Sequence, residues 1–222
     1  RDALAQAGAA AFRTRRYDGM AERLPAGESR LERILIPAAD LQARVAELAA
    51  QISRDYAGHD VVHLVGVLKG AWVFLADLAR AIRRADGPSV QYHFLRASTY
   101  GSEVKGVGET GRAVRIEGVP DAVRGGDVVL VEDILDQGFT LAGIRRALLE
   151  QSGARSVRLC VLLSKTLDAP SPEVARLRRE LVPEYVGFVV PDRWVAGYGL
   201  DVAEEFRDLP YVVVVREECF RH

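Results

Sequence analysis

The feature that most constrains the fold is a set of short apolar runs joined by segments with helical patterns. VVHLVGVL, DVVLVE and SVRLCVLL, which begin at Val61, Asp127 and Ser156, consist largely of Val and Leu. Runs of this length and composition are typical of strands buried on both faces of a parallel sheet. AWVFLADLARAIRR and residues 140–151 have helical periodicity and follow the first two runs. Strand–helix–strand order, found twice, predicts an α/β fold: a largely parallel, twisted sheet flanked by helices, with right-handed crossovers.

Other segments extend this pattern. An apolar stripe predicts a helix from about Asp40, and SVQYHFLRAS, YVGFVVP and YVVVV are typical of further strands. GSEVKGVGETG is rich in Gly, polar and without periodicity, so we expect a mobile loop there. Residues 1–30 are rich in Ala and Arg and lack the apolar segment of a secretory signal. We interpret them as a poorly ordered N-terminal extension, with an organelle-type presequence as the alternative.

Composition and charge argue against several classes of function. The formal net charge of -1 predicts no general attraction to nucleic acid or to an anionic membrane. No apolar run approaches the ~18 residues that a membrane helix needs. Two distant cysteines, Cys160 and Cys219, build no disulfide framework, which indicates a reducing, cytoplasmic compartment. The four histidines show no metal-ligand spacing, and His63 and His93 lie in strand-like runs where a structural role is expected.

Three carboxylates stand where one of the apolar strands ends. Glu132 and Asp133 end the run, and Asp136 follows three residues later, before Gly138 and Thr140. Ligands of open parallel sheets bind beyond the carboxyl ends of the strands, and a helix N-terminus binds anions through its backbone N–H groups. Carboxylates repel a phosphate unless they bind hydroxyls or a hard cation. The segment therefore suits a sugar phosphate, with ribose hydroxyls on the acids and the 5′-phosphate in the loop.

A structural alternative is that one Asp caps the following helix and the other acids are solvated. Capping alone does not explain paired acids that directly adjoin a wholly apolar strand. The segment is neither a GxxxxGK[ST] phosphate-binding loop nor a GxGxxG dinucleotide fingerprint.

The same segment, VVLVEDILDQGFTL, closely resembles the phosphoribosyl-pyrophosphate signature of the type I phosphoribosyltransferases. Four other segments, in that family's order, resemble the hypoxanthine-guanine phosphoribosyltransferases: RILIPAADLQARVAELAAQI, VGVLKGAWVFLADL, RASTYG and VGFVVPDRWVAGYGLDVAEEFRDLPYVVVV. Together the five cover about Arg33 to Val215. The order and number of matches make the resemblance specific.

The resemblance implies the type I phosphoribosyltransferase fold within a single domain, residues 31–222. In that fold a core, about residues 58–182 here, carries a small hood built from N- and C-terminal segments. The hood would comprise residues 31–57 and 183–222. Homodimers or homotetramers are the habit of the family.

The resemblance also implies roles for the acids and the loop after them. Glu132 and Asp133 would hold the ribose hydroxyls, linked to a Mg²⁺ ion bound by the substrate. Asp136 would face N7 of the purine as the general base. The 5′-phosphate loop would comprise Gln137, Gly138, Phe139 and Thr140. The family usually has Thr, Ser or Glu at position 137 and a basic or small aliphatic residue at position 139. Here backbone amides and Thr140 would have to hold the phosphate.

Further matching positions complete the implied site. Pyrophosphate would be met by Lys69, Gly70 and Arg207, with a cis peptide bond between Leu68 and Lys69. Thr99 and Tyr100 would lie on a mobile loop that closes over the site. The purine pocket would be formed by Lys165 at the 6-oxo group, Trp194 stacked on the ring, Val195 at its edge, and Asp201 near the 2-position and a second Mg²⁺.

Simpler interpretations of single residues stay open at this point. Lys165 ends an apolar strand and could be exposed, and Trp194 could be a core residue. Arg207 could pair on the surface with Glu204 or Asp208.

The resemblance implies purine salvage. The enzyme would transfer the phosphoribosyl group of phosphoribosyl pyrophosphate to N9 of hypoxanthine or guanine, giving IMP or GMP and pyrophosphate. One rival is a nucleotide-sensing regulator on the same fold, which would need a basic face for RNA or DNA. Lys and Arg are balanced by acids here, 30 against 31. The other rival is a transferase for another base, such as xanthine or a pyrimidine.

Overall fold

The computed structural model describes residues 23–100 and 113–219. The predicted mobile loop and most of the predicted N-terminal extension lie outside these ranges. Residues 23–30, the described part of that extension, contact the C-terminal segment: the Tyr211 hydroxyl donates to the Arg23 carbonyl at 2.7 Å, and Arg30 pairs with Glu205 at 2.6 Å. The role of residues 1–30 stays a prediction.

Within these ranges the chain alternates strands and helices. The strands are β1 (Leu31–Ile36), β2 (Val61–Leu68), β3 (Ser89–Tyr100), β4 (Ala113–Glu117), β5 (Asp127–Leu135), β6 (Ser156–Thr166), β7 (Tyr185–Pro191), β8 (Val195–Ala196) and β9 (Val212–Val215). The α-helices are α1 (Ala38–Asp55), α2 (Trp72–Arg84), α3 (Phe139–Glu150) and α4 (Pro172–Glu180). Short 3₁₀ turns span Asp121–Val123 and Glu217–Cys219.

Six of the described strands form the main sheet in the order β4-β3-β2-β5-β6-β7. All neighbours are parallel except β4, which pairs antiparallel with β3 at one edge. The prediction of a largely parallel α/β sheet is confirmed. Its central strands are apolar because both faces are covered. On one face α1 and α2 pack on side chains such as Val129 and Val131, and on the other α3 packs on Val128 and Leu130.

The helices follow the apolar stripes of the sequence. In α1 every predicted stripe residue is buried, namely Leu41, Val45, Leu48, Ile52 and the following Tyr56. Packing of this stripe on the sheet stabilises the helix more than intrinsic propensity does. No helix of the described residues is long and apolar enough to cross a membrane.

A second, three-stranded antiparallel sheet lies apart from the main one, in the order β1-β9-β8. It joins the chain's N-terminal and C-terminal segments, the ranges from which the hood was expected. Its own apolar cluster includes Leu31, Ala196, Tyr211 and Val213. The division into core and hood stays a prediction, while the pairing explains why the loop after β8 is held beside the main sheet.

The structure differs from the sequence prediction in three places. Strand β5 continues three residues past Glu132, because Ile134 and Leu135 pair with Leu163 and Ser164 of β6. Helix α4 was not predicted, although Ser171 caps it by accepting from the Val174 N–H at 3.3 Å. Strands β1, β4 and β8 also escaped prediction. They are short or at edges, and partners distant in sequence hold them.

Candidate active site

The carboxyl ends of β2, β5 and β6 meet at one edge of the main sheet, and the predicted site residues gather there. Lys69 and Gly70 follow β2, Asp136 follows β5, and Lys165 is near the end of β6. The loop between β8 and β9 approaches from the small sheet. An added Cβ at Gly199 in this loop would lie 2.2 Å from the Gly70 carbonyl oxygen, so the two backbones are in close contact.

Two buried carboxylates dominate this edge. Glu132 and Asp133 are 7% and 9% exposed. Their hydrogen bonds come from neighbouring backbone N–H groups: Asp133 N donates to Glu132 Oε1 at 3.3 Å, and Ile134 N donates to Asp133 Oδ1 at 2.8 Å. Burial raises the pKa of both, and the charge of Asp133 raises the pKa of Glu132 further. Hydrogen bonds with Glu132 and the Ile134 N–H, and then the charge of Arg207, lower the pKa of Asp133, but burial outweighs them. Such a pair favours a ligand that brings hydroxyl donors or positive charge.

Gly70 is required by this packing. A Cβ at position 70 would lie 1.7 Å from Asp133 Oδ2. The backbone of the predicted pyrophosphate loop is therefore held between the acid pair and Gly199. The Leu68–Lys69 peptide bond is cis, as predicted.

The loop from Asp136 to Gly138 leads into a helix whose N-cap residue has no side chain. Gly138 is the N-cap of α3 with φ of 96°, a left-handed conformation that favours glycine. The N-cap residue is this glycine, so no Asp occupies the N-cap position of α3. The first backbone N–H groups of α3 are thus suited to an anion such as a 5′-phosphate. Phe139 lines a separate groove of about 520 Å³ between α3, α4 and β4, consistent with the absence of a side-chain donor there.

Lys165 contacts one carboxylate in the loop after β5 and one in the loop after β7. It is 6% exposed, so it is not a surface lysine. Its Nζ lies 3.5 Å from Asp136 Oδ2 and 3.4 Å from Asp192 Oδ1. The two carboxylates hold the buried amino group in position, as a donor to a ligand oxygen must be held.

These side chains surround a cavity of about 240 Å³. Its walls are Asp133, Ile134, Asp136, Lys165, Trp194, Val195, Leu200 and Asp201. All four residues predicted to bind the purine are among them, together with the predicted base Asp136. Trp194 is 41% exposed, so it is a wall of the cavity and not a core residue. Ile134 and Leu200 were not predicted. Each is one apolar residue among many and gives no signal in the sequence.

The two predicted pyrophosphate-binding cations share a carboxylate. Lys69 Nζ lies 2.8 Å from Glu204 Oε2, and Arg207 Nη2 lies 3.3 Å from the same oxygen. Arg207 also pairs with Asp201 Oδ1 at 2.8 Å and donates to the Gly199 carbonyl at 2.8 Å. Arg207 therefore does pair with Glu204, the alternative raised from the sequence, and at the same time lies beside the predicted pyrophosphate lysine.

The donor set for a metal is less complete. Asp201 uses Oδ1 for Arg207 and Oδ2 for the Glu204 N–H at 2.9 Å. Among residues 23–100 and 113–219, no three His, Cys, Asp or Glu side chains are placed to hold a metal ion. Glu132 and Asp133 are the described acids that fit a hard cation, since burial leaves their charge poorly compensated. Most ligands of such an ion would have to come from the substrate.

Thr99 and Tyr100 lie at the end of β3, where their backbones pair with Val114 and Ala113 of β4. The loop that they open, residues 101–112, is outside the described residues. Their predicted part in closure stays a prediction.

The sequence analysis missed Arg178 of α4. Its guanidinium donates to the carbonyls of Leu135, Asp136 and Lys165, and to Ser164 Oγ, with distances of 2.8 Å to Leu135 and 2.9 Å to Lys165. Burial lowers its pKa, and the charge of Asp136 opposes that shift. Arg178 thus ties together the strand ends that carry the predicted general base and the purine lysine. Backbone carbonyls leave no residue-type signal, so sequence reasoning could not find this contact.

Comparison with known proteins decides the family. The family model described as phosphoribosyl transferase domain matches residues 37–202. The chain belongs to the phosphoribosyl transferase domain family.

Relatives within that family have closely related names. The chain is 41% identical over 184 residues to a hypoxanthine phosphoribosyltransferase of Escherichia coli K12, covering 81% of this chain and 92% of that protein. It is 39% identical over 189 residues to a hypoxanthine-guanine phosphoribosyltransferase of Mycobacterium tuberculosis H37Rv, covering 82% and 85%.

Solved structures agree. A hypoxanthine phosphoribosyltransferase from Staphylococcus aureus matches with a TM-score of 0.71 and 32% identity, covering 90% of this chain and 100% of that one. A Trypanosoma cruzi hypoxanthine phosphoribosyl transferase, studied for the role of its C-terminal region in oligomeric state and activity, matches with a TM-score of 0.72 and 29% identity, covering 88% and 97%. The predicted type I phosphoribosyltransferase fold is confirmed.

Proposed function

We propose that this protein is a purine salvage enzyme that transfers the phosphoribosyl group from phosphoribosyl pyrophosphate to N9 of hypoxanthine or guanine. The products are IMP or GMP and pyrophosphate. The observation that carries the proposal is that Asp136, Lys165 and Trp194 line one cavity together with the buried acid Asp133, next to Glu132. Relatives at about 40% identity with these names support it.

The cavity suits a 6-oxopurine. Trp194 offers a flat apolar face on which a purine ring can stack. Lys165, a donor without acceptor capacity, suits the 6-oxo oxygen. Asp136 lies 3.5 Å from Lys165 Nζ, so a base that contacts the lysine through its 6-oxo group can present N7 to the carboxylate. Asp136 would then accept the N7 proton as N9 forms its bond to the sugar.

The neighbouring groups suit the sugar and its two phosphate-bearing ends. Ribose hydroxyls donate to Glu132 and Asp133, which removes the cost of leaving buried carboxylates without donors. The N-terminus of α3, which begins after Gly138, receives the 5′-phosphate. Lys69 and Arg207, which share a contact with Glu204, supply positive charge for the leaving pyrophosphate.

Mg²⁺ belongs to the same proposal. Glu132 and Asp133 would hold it together with substrate oxygens, since hard cations prefer oxygen ligands. When bound, it neutralises charge on the pyrophosphate group. Asp201 is proposed as a second, weaker contributor because Arg207 and the Glu204 N–H already engage its carboxylate.

The proposal extends to assembly and location. We infer a homodimer or homotetramer in the cytoplasm. Tyr92 and Phe94, on the same face of β3, are 55% and 45% exposed, and exposed aromatic residues are enriched at protein interfaces. Light scattering that gave the mass of a monomer at working concentration would contradict the inferred assembly.

A panel of bases tests the function. Nucleotide formation from phosphoribosyl pyrophosphate and Mg²⁺ is measured with hypoxanthine, guanine, xanthine and adenine. We expect kcat/KM for adenine to be lower by up to ~10⁴-fold, because its 6-amino donor would oppose the buried ammonium of Lys165. Guanine and hypoxanthine should differ modestly.

Two variants separate the parts of this pocket. Lys165→Met should lose part of the preference over adenine, whereas Trp194→Phe should keep it, since stacking scarcely distinguishes a 6-oxo from a 6-amino group. Adenine used as well as hypoxanthine by the wild type would contradict the role of Lys165. If xanthine were the best substrate, the protein would be a transferase for another base, the rival raised from the sequence.

A further inference from the structure

Glu204 is a carboxylate at the place where the proposed mechanism needs an anion. Its Oε2 lies 2.8 Å from Lys69 Nζ and 3.3 Å from Arg207 Nη2. One oxygen therefore contacts both cations that the proposed function assigns to pyrophosphate. A pyrophosphate oxygen held by the same two side chains would have to take nearly the same position.

The backbones that carry the two cations are held close together, although the Lys69 side chain is itself 57% exposed. The loop of Gly70 and the loop of Gly199 are in backbone contact, as a Cβ at Gly199 would lie 2.2 Å from the Gly70 carbonyl oxygen. Arg207 is held further by Asp201 and by the Gly199 carbonyl, and its side chain is 19% exposed. The Glu204 side chain is 64% exposed and has solvent to move into. On binding of an anion, the group that leaves is therefore Glu204.

The backbone conformation around Glu204 fixes the position of this residue. Ala203 and Glu204 have φ of 51° and 68°, in the left-handed region that residues with a Cβ seldom adopt. Such conformations persist where surrounding contacts impose them, and they cluster at ligand sites. Here the Glu204 N–H donates to Asp201 Oδ2 at 2.9 Å, which fixes the turn. The hydrogen bond from Lys69 lowers the pKa of Glu204, so the side chain is ionised near neutral pH.

We propose that Glu204 is a built-in competitor of the pyrophosphate group, occupying the anion position between Lys69 and Arg207 until phosphoribosyl pyrophosphate or free pyrophosphate displaces it. The inference rests on the proposed function. Its consequence is weaker retention of pyrophosphate after transfer, since the carboxylate returns as the product leaves. Glu204 would thus set the affinity for the pyrophosphate-bearing substrate and assist release of the product.

The chain supplies a matched control in the next residue. Glu205 carries the same charge but pairs with Arg30 at 2.6 Å, away from Lys69 and Arg207. Glu204→Gln and Glu205→Gln change the net charge equally and keep the side-chain shape. A difference in pyrophosphate affinity between the two variants is therefore due to the contact of Glu204 with the two cations, and not to the change in net charge.

Titration calorimetry of pyrophosphate with Mg²⁺ into the full chain tests the proposal. Exposed ion pairs have modest energies, so we expect Glu204→Gln to bind pyrophosphate roughly 3–10-fold more tightly, with a matching fall in KM for phosphoribosyl pyrophosphate. Glu205→Gln should stay within about twofold of the wild type on the same grounds. Glu204→Ala is a second variant, and thermal melting checks that each variant folds.

Two negative results are distinguishable. If the wild type forms IMP or GMP but neither Glu204 variant binds pyrophosphate more tightly, Glu204 is not a competitor and only this inference is wrong. If the wild type neither binds pyrophosphate nor forms a nucleotide with any base, the proposed function fails and the inference falls with it.

Discussion

The two ends of strand β5 hold buried acids in opposite states. At its amino end, Asp127 accepts from Arg155 Nε at 3.0 Å, from Ser156 Oγ at 2.7 Å and lies 3.2 Å from His59 Nε2. These partners, Arg155 first, lower the pKa of Asp127 to about 2. In its carboxyl half, burial raises the pKa values of Glu132 and Asp133, and the charge of Asp133 raises that of Glu132 further.

The difference separates structure from function on one strand. Both regions bury carboxylates, and burial alone costs free energy in either place. At the amino end the protein supplies the compensating donors itself. In the carboxyl half the described residues leave the charges poorly compensated, which is reasonable if a substrate supplies hydroxyls and a cation. An acid whose pKa is raised by burial inside a cleft is therefore the better candidate for a functional residue.

The largest effect should come from an acid just beyond the carboxyl end. Asp136→Asn is expected to lower kcat by ~10²–10⁴-fold, because the amide keeps the shape but cannot accept the N7 proton. Asp127→Asn is the control, with turnover per folded molecule unchanged. Steady-state rates with hypoxanthine and guanine measure both. If Asp136→Asn turned over within a few-fold of the wild type, Asp136 would have a structural role, as Asp127 has, and not a catalytic one.

Stability should respond with opposite sign at the two ends of β5. Asp127→Asn breaks charge-assisted hydrogen bonds and should destabilise by about 1–3 kcal/mol. Glu132→Gln replaces a buried acid of raised pKa with a neutral amide and should stabilise by about 0.5–2 kcal/mol at neutral pH, while lowering activity. Urea unfolding without ligand, at neutral pH, measures both changes.

The pH dependence of these variants sharpens the test. The lowered pKa of Asp127 stabilises above its unfolded value, and that contribution is lost as pH falls toward 2. The raised pKa values of Glu132 and Asp133 act the other way: stability falls as pH rises above the ordinary carboxyl range. If Glu132→Gln were destabilising at neutral pH, the acid pair would be compensated within the protein, and the contrast between the two ends would disappear.

The same comparison shows what the sequence could and could not predict. Continuous apolar runs predicted the parallel sheet, because strands covered on both faces have no need of alternating polar residues. The acids near Asp136 were found because carboxylates at such a strand end have few structural uses. Sequence alone could not rank Asp127 below Asp133, because its main partner, Arg155, is 28 residues away. Glu204 was missed as a site residue because its contact with Lys69 spans 135 residues.

The length of the ordered elements was harder to predict than their existence. Residues 133–135 continue β5 only because β6 offers partners as far as Ser164. Helix α4 carries the signals Ser171-Pro172-Glu173 but just one fully buried apolar residue, Val174, so its periodicity is weak. Its contribution to the site through Arg178 depends on tertiary contacts with two strand ends. Such contacts appear only when the chain is folded.

The smallest expected effect on stability comes from a pair of histidines beside the amino end of β5. His63 Nδ1 and His93 Nε2 lie 3.0 Å apart on neighbouring strands, and the His63 ring packs against the backbone of Gly126. Burial lowers the pKa of both, the charge of His63 lowers that of His93 further, and Asp127 opposes the shift of His63. Below pH ~6.5, the ordinary histidine value, the unfolded chain binds more protons than the folded one. Stability from this pair is thus present above that pH and is lost as the pH falls.

The histidine pair adds to the comparison of the two ends of β5. Near the amino end, these two groups stabilise the fold in their neutral form. The double variant with His63→Leu and His93→Leu should show a smaller fall in Tm between pH 7.5 and 5.5 than the wild type. The fall in Tm of the wild type over this pH range should be smaller than the fall in Tm caused by Asp127→Asn. Charging two partly buried imidazoles costs less free energy than removing a carboxylate that accepts several hydrogen bonds. Melting curves across this pH range measure it. Equal slopes for the two proteins would mean that acids elsewhere, and not the histidines, govern stability near neutral pH.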